Sequence, residues 1–202
     1  MNVVSFSGGK DSTAMLLMMV ERQERIHSIV YFDTEWEFPE IQEHIRKIER
    51  DIDIPFVRVR HWAGFEFLLK RYGPPHPSGG WCTAAKRDVL VKYQRMVRKR
   101  NPDIVPCIGF TVDEKHRAKR MQEKWPVRYP LIEYGETEES CLQYCYDRGY
   151  DFGGIYDWMP SKRVSCYCCP KQSNADRAAI RKHHPELVSI ADAQSGQMAM
   201  EF

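Results

Sequence analysis

Short β-branched runs alternate along the chain with longer stretches whose apolar residues recur at helical spacing, and this alternation predicts βαβ units around a parallel sheet. Residues 3–6 read as the first strand and 12–25 as the first helix, with Met15, Leu16, Met18, Met19 and Val20 on its apolar side. Residues 29–32 and 39–51 read as the second strand and helix, and 55–59 and 65–71 as the third pair. Three prolines and three glycines in residues 73–80 predict a loop. A helix over 83–100 follows, then a fourth strand over 104–109 and a basic helical segment over 113–123. Residues 127–132 read as extended, and 137–148 as a helix capped by Thr137 with Ser140 nearby. The Gly, aromatic and Cys composition of 151–170 predicts an irregular, site-forming segment outside the core, and the tail from 175 reads as helical, then frayed. The expected fold is therefore α/β, a Rossmann-like open parallel sheet with helices on both faces, plus an irregular Cys-rich C-terminal segment.

Composition narrows the setting. The 202 residues are 43% hydrophobic and 29% charged, with no apolar run long enough for a membrane span and no signal-like basic and apolar start, so a cytoplasmic protein is expected. Seven cysteines, an odd count, argue for metal or redox chemistry over a disulfide framework in such a compartment. Net charge is only +2, but residues 81–130 hold 13 Lys or Arg against 5 Asp or Glu. Lys92, Arg95, Arg98, Lys99 and Arg100 share one predicted helix, which suits either a solvated face or a polyphosphate or nucleic-acid surface.

The chemistry begins at Ser7-Gly8-Gly9-Lys10-Asp11-Ser12, directly between a strand and a helix. Glycines there let backbone N–H groups approach an anion at the positive end of the helix, Lys10 adds a cation, and Asp11 suits a cap or a phosphate-bound metal ion. A tight turn that uses glycine only for geometry is the plainer alternative. Asp33 ends the second strand, where it could accept from a ribose or base, or cap a helix. Cys166-Tyr167-Cys168-Cys169 packs three thiols into four residues, a turn able to aim sulfurs at one soft ion. Cys107 reads as core, and Cys141 and Cys145, four apart on one helix face, as packing residues. His183 and His184 precede Pro185 and suit carbonyl capping or solvent better than metal ligation.

The Ser7–Ser12 run resembles, residue for residue, the phosphate loop of the ATP pyrophosphatase and adenylylsulfate-reductase superfamily. Phe32-Asp33-Thr34-Glu35-Trp36-Glu37-Phe38-Pro39-Glu40 is similar to a motif of its 3′-phosphoadenosine 5′-phosphosulfate (PAPS) reductase branch, with Glu35 in place of the usual Gly. Gly109 to Arg117 resembles a further motif, with Thr111 for Arg and Lys115 for Ser, and Cys82 with Lys86 resembles a Cys-x-x-x-Lys element. The stretch from Tyr129 to Tyr156 extends the likeness toward the cysteine cluster.

The resemblance implies a nucleotide-binding core over residues 1–130 and a helical, Cys-rich extension of the same domain over 131–202. It implies nucleotide contacts from Ser7, Gly8, Gly9, Lys10, Asp11, Ser12, Asp33, Thr34, Glu37, Gly109, Glu114 and Arg117, with Lys10, Asp11, Lys86 and Arg117 in catalysis. Cys82, Cys166, Cys168 and Cys169 are the implied metal ligands, for a [4Fe-4S] cluster or for zinc, or as three thiolates with one open iron. ATP with Mg²⁺, or PAPS or adenylylsulfate (APS), is the implied nucleotide. Nucleic acid, a sulfur-carrier protein or a second copy of the chain are the implied partners, with no membrane. No cysteine follows Cys169, whereas the reductases use a C-terminal thiol. The expected activity is thus ATP-dependent, pyrophosphate-releasing adenylyl or sulfur transfer. A sulfonucleotide reductase with a non-standard thiol and a non-catalytic binding module are the alternatives.

Overall fold

A computed structural model describes residues 1–76, 80–122 and 126–189. Four parallel strands, β1 (Asn2–Phe6), β2 (Ile26–Phe32), β3 (Phe56–Val59) and β4 (Val105–Cys107), form one open sheet in the order β3-β2-β1-β4. The helices are α1 (Lys10–Glu21), α2 (Pro39–Asp51), α3 (Gly64–Tyr72), α4 (Trp81–Arg100), α5 (Lys115–Gln122), α6 (Pro130–Tyr134), α7 (Glu138–Tyr146), α8 (Ile155–Trp158) and α9 (Asn174–His183). The expected α/β fold with an open parallel sheet is the one observed.

Helices cover both faces because the strand order reverses. From β1 the chain steps outward through α1 and α2 to β3, then returns through α3 and α4 to β4 on the other side of β1. Crossovers of one hand must then place α4 on the opposite face from α1 and α2. Packing follows: Val4, Phe6, Ile29 and Tyr31 meet α1 and α2, while Val3 and Val30 meet Val97 and Ile104. Both faces of β1 and β2 are therefore apolar, as a doubly covered parallel sheet requires. Ile41, Ile45 and Ile48 of α2 lie at helical spacing and are buried, each burial stabilising by roughly 2 kcal/mol.

Several boundaries move. Residues 127–132 are not a strand: only Arg128 bridges to Cys107, and Pro130 opens α6, which ends at Gly135 with φ 83°. Proline at a first helical position and glycine after the last explain that short helix. The fourth strand spans Val105–Cys107 alone. Residues 151–170 are not wholly irregular or outside the core, since Phe152, Ile155, Tyr156 and Met159 are buried in the main cluster and α8 lies among them. Asp151 holds this turn by accepting from the Gly153 N–H at 3.1 Å. The expectations for 77–79, residue 123 and the tail beyond 189 fall outside the described residues. No helix among the described residues is long and apolar enough to cross a membrane.

Candidate functional site

The Ser7–Gly9 turn joins the carboxyl end of β1 to α1, beside the switch point where β1 is flanked by β2 and β4. Gly9 is the N-cap of α1 and, lacking a side chain, gives that helix end no cap of its own; the first N–H, that of Lys10, is met from across the fold by the Tyr156 hydroxyl at 2.9 Å. The turn is held from within: Ser7 N–H donates to Ser12 Oγ at 3.2 Å, and Ser12 Oγ and Thr13 Oγ1 each donate to the Gly9 carbonyl at 3.0 Å. Thr13 Oγ1 lies 2.9 Å from Nε2 of buried His44. Gly109, past β4, sits so close to α1 that a Cβ would lie 3.3 Å from Ser12 N.

Lys10 is only 3% exposed. Its Nζ donates to Asp11 Oδ1 at 2.9 Å and to Glu138 Oε2 at 3.0 Å, and its backbone N–H donates to Tyr156 Oη at 2.9 Å. Arg163 holds the other oxygen of Glu138 at 2.5 Å. Burial pushes the Asp11 carboxyl up, Lys10 opposes that rise, and Glu138 and Glu114 add to it. Asp11, Glu114 and Glu138 thus make an acidic rim with Lys10 inside it. Glu114 is buried and paired with Arg117, whose guanidinium lies 4.4 Å from the Phe110 ring centre. Thr111, in the position where Arg is usual, is fully buried with an unpartnered Oγ1.

After β2, Asp33 accepts from the Glu35 N–H at 2.9 Å and Thr34 Oγ1 donates to Glu37 Oε1 at 2.5 Å. Burial raises the Glu37 carboxyl pKa. The Thr34 hydroxyl also lies 3.3 Å from Cys166 Sγ, which joins this loop to the cysteine wall. Cys169 N–H donates to the Cys166 carbonyl at 3.0 Å, folding the three-thiol segment into a turn. Cys82, in the first turn of α4, packs with Cys166 and Cys168 against Trp36, Phe65 and Ala85. The Cys168 thiol is pushed up by burial and then by Cys166, Cys169 and Cys82, so the four sulfurs are electrostatic neighbours. Lys86 acts on Cys166 in the opposite sense. Among the described residues, no group of three or more His, Cys, Asp or Glu side chains already stands in position to hold a metal ion. Four thiols on one half-buried surface are donors of the soft type that iron-sulfur and zinc sites use. Cys107, Cys141 and Cys145 are buried, and Cys145 Sγ packs 3.5 Å from the Lys10 carbonyl.

The structure therefore gathers the Ser7–Ser12 turn, Gly109 and Glu114 at one crevice, and Asp33, Thr34, Glu37 and the cysteine wall beside it. Glu138, Tyr156, His44 and Thr13 receive no role from sequence reasoning. Glu138 and Tyr156 fall within the Tyr129–Tyr156 stretch that extends the likeness, without a role assigned to either.

A parallel sheet whose switch point carries a glycine turn opening a helix is the arrangement on which α/β proteins take phosphates at that edge. Residues 1–124, more than half of the chain, match the phosphoadenosine phosphosulfate reductase domain family, and the chain belongs to it. Two uncharacterized proteins of Methanocaldococcus jannaschii are each 24% identical, over 92% and 91% of this chain and 39% and 44% of their own length. The chain thus spans about two fifths of those two relatives. The uncharacterized nin region protein ORF290 of Escherichia phage lambda is 26% identical, over 96% of this chain and 77% of its own.

Proposed function

We propose that the chain binds ATP on the Ser7–Ser12 turn and catalyses pyrophosphate-releasing adenylyl or sulfur transfer to a nucleic-acid or small-molecule acceptor. One observation carries this reading: α1 opens directly on a glycine turn at the switch point where β2 and β4 flank β1, with no capping side chain at its N-cap and only the neutral Tyr156 hydroxyl on its first N–H. Backbone N–H groups from Gly8 to Ser12 would take phosphate oxygens at the positive helix end. The Mg²⁺ that accompanies the nucleotide would meet the rim of Asp11, Glu114 and Glu138, with Lys10 holding that rim together before the nucleotide arrives. Asp33, Thr34 and Glu37 would face ribose or base.

An acceptor oxygen would attack the α-phosphorus, the bond to the bridging oxygen would break, and pyrophosphate would leave. A sulfur nucleophile would then displace AMP from the adenylated acceptor. Preorganised N–H groups, Lys86 and Arg117 would supply the charge stabilisation. The contact of Thr34 with Cys166 supports a sulfur role, because it sets the cysteine wall against the nucleotide loop. Cys82, Cys166, Cys168 and Cys169 would hold a [4Fe-4S] cluster or zinc once their side chains turned inward. Such a group would offer a soft site for sulfur or anchor the acceptor pocket.

The test is anaerobic purification with metal and sulfide analysis and a visible spectrum, followed by pyrophosphate release from ATP. ATP binding with pyrophosphate release in the presence of acceptor supports the reading, and an ATP-soaked crystal with the turn empty overturns it. Family membership favours sulfonucleotide reduction as the second reading, and sulfite release from APS or PAPS would establish it. Burial raises the Cys166 thiol to about 12, which weighs against that thiol as the attacking group.

A further inference from the structure

We infer that the turn after β3 is a stacking platform for single-stranded nucleic acid, with Trp62 as its base-binding ring. Trp62 is 88% exposed, whereas Trp36 on the neighbouring loop is 6% exposed. An indole that open is uncommon on a folded surface and marks an interaction site when other rings adjoin it. Here they do: Trp62 lies 5.7 Å from His61 and 6.4 Å from Phe67, ring centre to ring centre, and Phe67 and Tyr72 are themselves exposed.

The turn is built to present that ring. Gly64 N–H donates to the His61 carbonyl at 3.0 Å, Ala63 N–H donates to His61 Nδ1 at 3.3 Å, and Gly64 adopts a φ of 72°. Trp62 is thus displayed by a closed, hydrogen-bonded turn.

Charge selects the occupant. Arg60, Lys70 and Arg71 neighbour these residues along the chain, with Arg71 placed 5.5 Å from the Tyr72 ring centre. Glu35 and Glu66 are the acids on this surface, paired with Arg60 and Lys70. Helix α4 packs on α3 through Ala85 against Leu68 and Leu69. Flat open rings among cations suit bases that stack and phosphates that are neutralised, which is how single strands are held without sequence preference. The Arg60–Glu35 pair also ties this turn to the loop after β2, so a bound strand would lead toward the proposed nucleotide crevice.

This inference deepens the nucleic-acid branch of the proposed function, and the two fail separately. Fluorescence anisotropy of the whole protein with labelled oligouridylate and oligothymidylate should show binding that weakens with salt and quenches tryptophan emission. Trp62→Ala should weaken it about tenfold or more, Trp62→Phe should retain part of it, and Arg71→Ala should lower the salt slope. Equal binding by wild type and Trp62→Ala overturns the inference. So does a Trp62→Ala effect confined to sedimentation, which would give the surface to a second copy of the chain. Strand binding without ATP turnover would sink the catalytic reading alone, and ATP turnover without strand binding would sink this one alone.

Discussion

The hydroxyl of Tyr156 accepts a hydrogen bond at 2.9 Å from the backbone N–H of Lys10, 146 residues away in the chain, and so satisfies one of the donors that open α1. A phosphate on this turn would compete for the same N–H. Tyr156→Phe should therefore cost about 1–2 kcal/mol without nucleotide, because a buried donor loses its partner. Saturating ATP should shrink that penalty by supplying an oxygen in its place. Thermal unfolding of both proteins with and without ATP measures it, and an unchanged gap would mean that no phosphate reaches the Lys10 N–H.

Gly8 has a φ of 78°, and a Cβ on it would lie 2.8 Å from Ile45 Cδ1 and 3.0 Å from Ile41 Cγ2. Gly8→Ala combines left-handed strain with a clash against α2, and should destabilise by about 2–4 kcal/mol. Adding Ile45→Ala removes both Ile45 atoms that lie 2.8 Å from that Cβ, and should recover only part of the steric cost. Full recovery in denaturant unfolding would show that the backbone conformation carries no cost.

Lys10 is buried between Asp11 and Glu138, so its charge first serves to hold two carboxylates together. Lys10→Met should lower stability by about 2–3 kcal/mol, less than for a fully buried pair because both acids retain some solvent access. Glu138 keeps Arg163 as a partner, so Asp11 is the acid left unneutralised, and Asp11→Asn in the Lys10→Met background should return part of the loss. A double-mutant cycle by urea denaturation reads the coupling, and strict additivity would refute it.

Glu35 stands where the resembling motif carries glycine, and its φ is 66°. A non-glycine residue there is strained by about 1 kcal/mol, partly offset by the exposed pair with Arg60. Glu35→Gly should stabilise the protein by about 0.5 kcal/mol, read as a raised denaturation midpoint. A lowered midpoint would show that the ion pair outweighs the strain.

The sheet and the glycine turn after β1 were legible because local signals agree with tertiary ones: apolar strands, a glycine pair at a strand end, and a helical stripe such as Ile41, Ile45 and Ile48. What escaped is long-range. Nothing near Tyr156 in the sequence says that its hydroxyl meets Lys10, and Glu138 reads as an ordinary first-turn acid until α7 packs against α1. The misread 127–132 segment has the same origin, since Tyr-Pro-Leu-Ile suits a strand locally while Pro130 and Gly135 bound a short helix. The four thiols could be grouped from spacing and resemblance, but how closely their sulfurs meet depends on side-chain positions that spacing does not encode.

His44 offers a test in which pH reports on the packing beneath the turn. It is 4% exposed, its ring centre lies 4.2 Å from that of Phe152, and its Nε2 contacts Thr13 Oγ1. Burial, aided by Lys47 and opposed by Asp151 and Asp51, lowers its pKa from 6.5 to about 4. Well above pH 6.5 neither the folded nor the unfolded chain is protonated here, and the contribution to stability is complete. As pH falls below 6.5 the unfolded chain takes up a proton that the folded state refuses, so stability drops, by about 3 kcal/mol when pH reaches the folded value. His184 works in the other direction: burial lowers its pKa, but its bonds to Glu186 and Glu40 outweigh that and raise it, so it favours the folded state in acid. His184 is common to wild type and His44→Gln, so the difference between them isolates His44. Urea denaturation across this range should show a shallower acid loss for His44→Gln than for wild type. Parallel curves would mean that His44 takes up its proton in the folded protein, and that the packing against Phe152 does not hold it neutral.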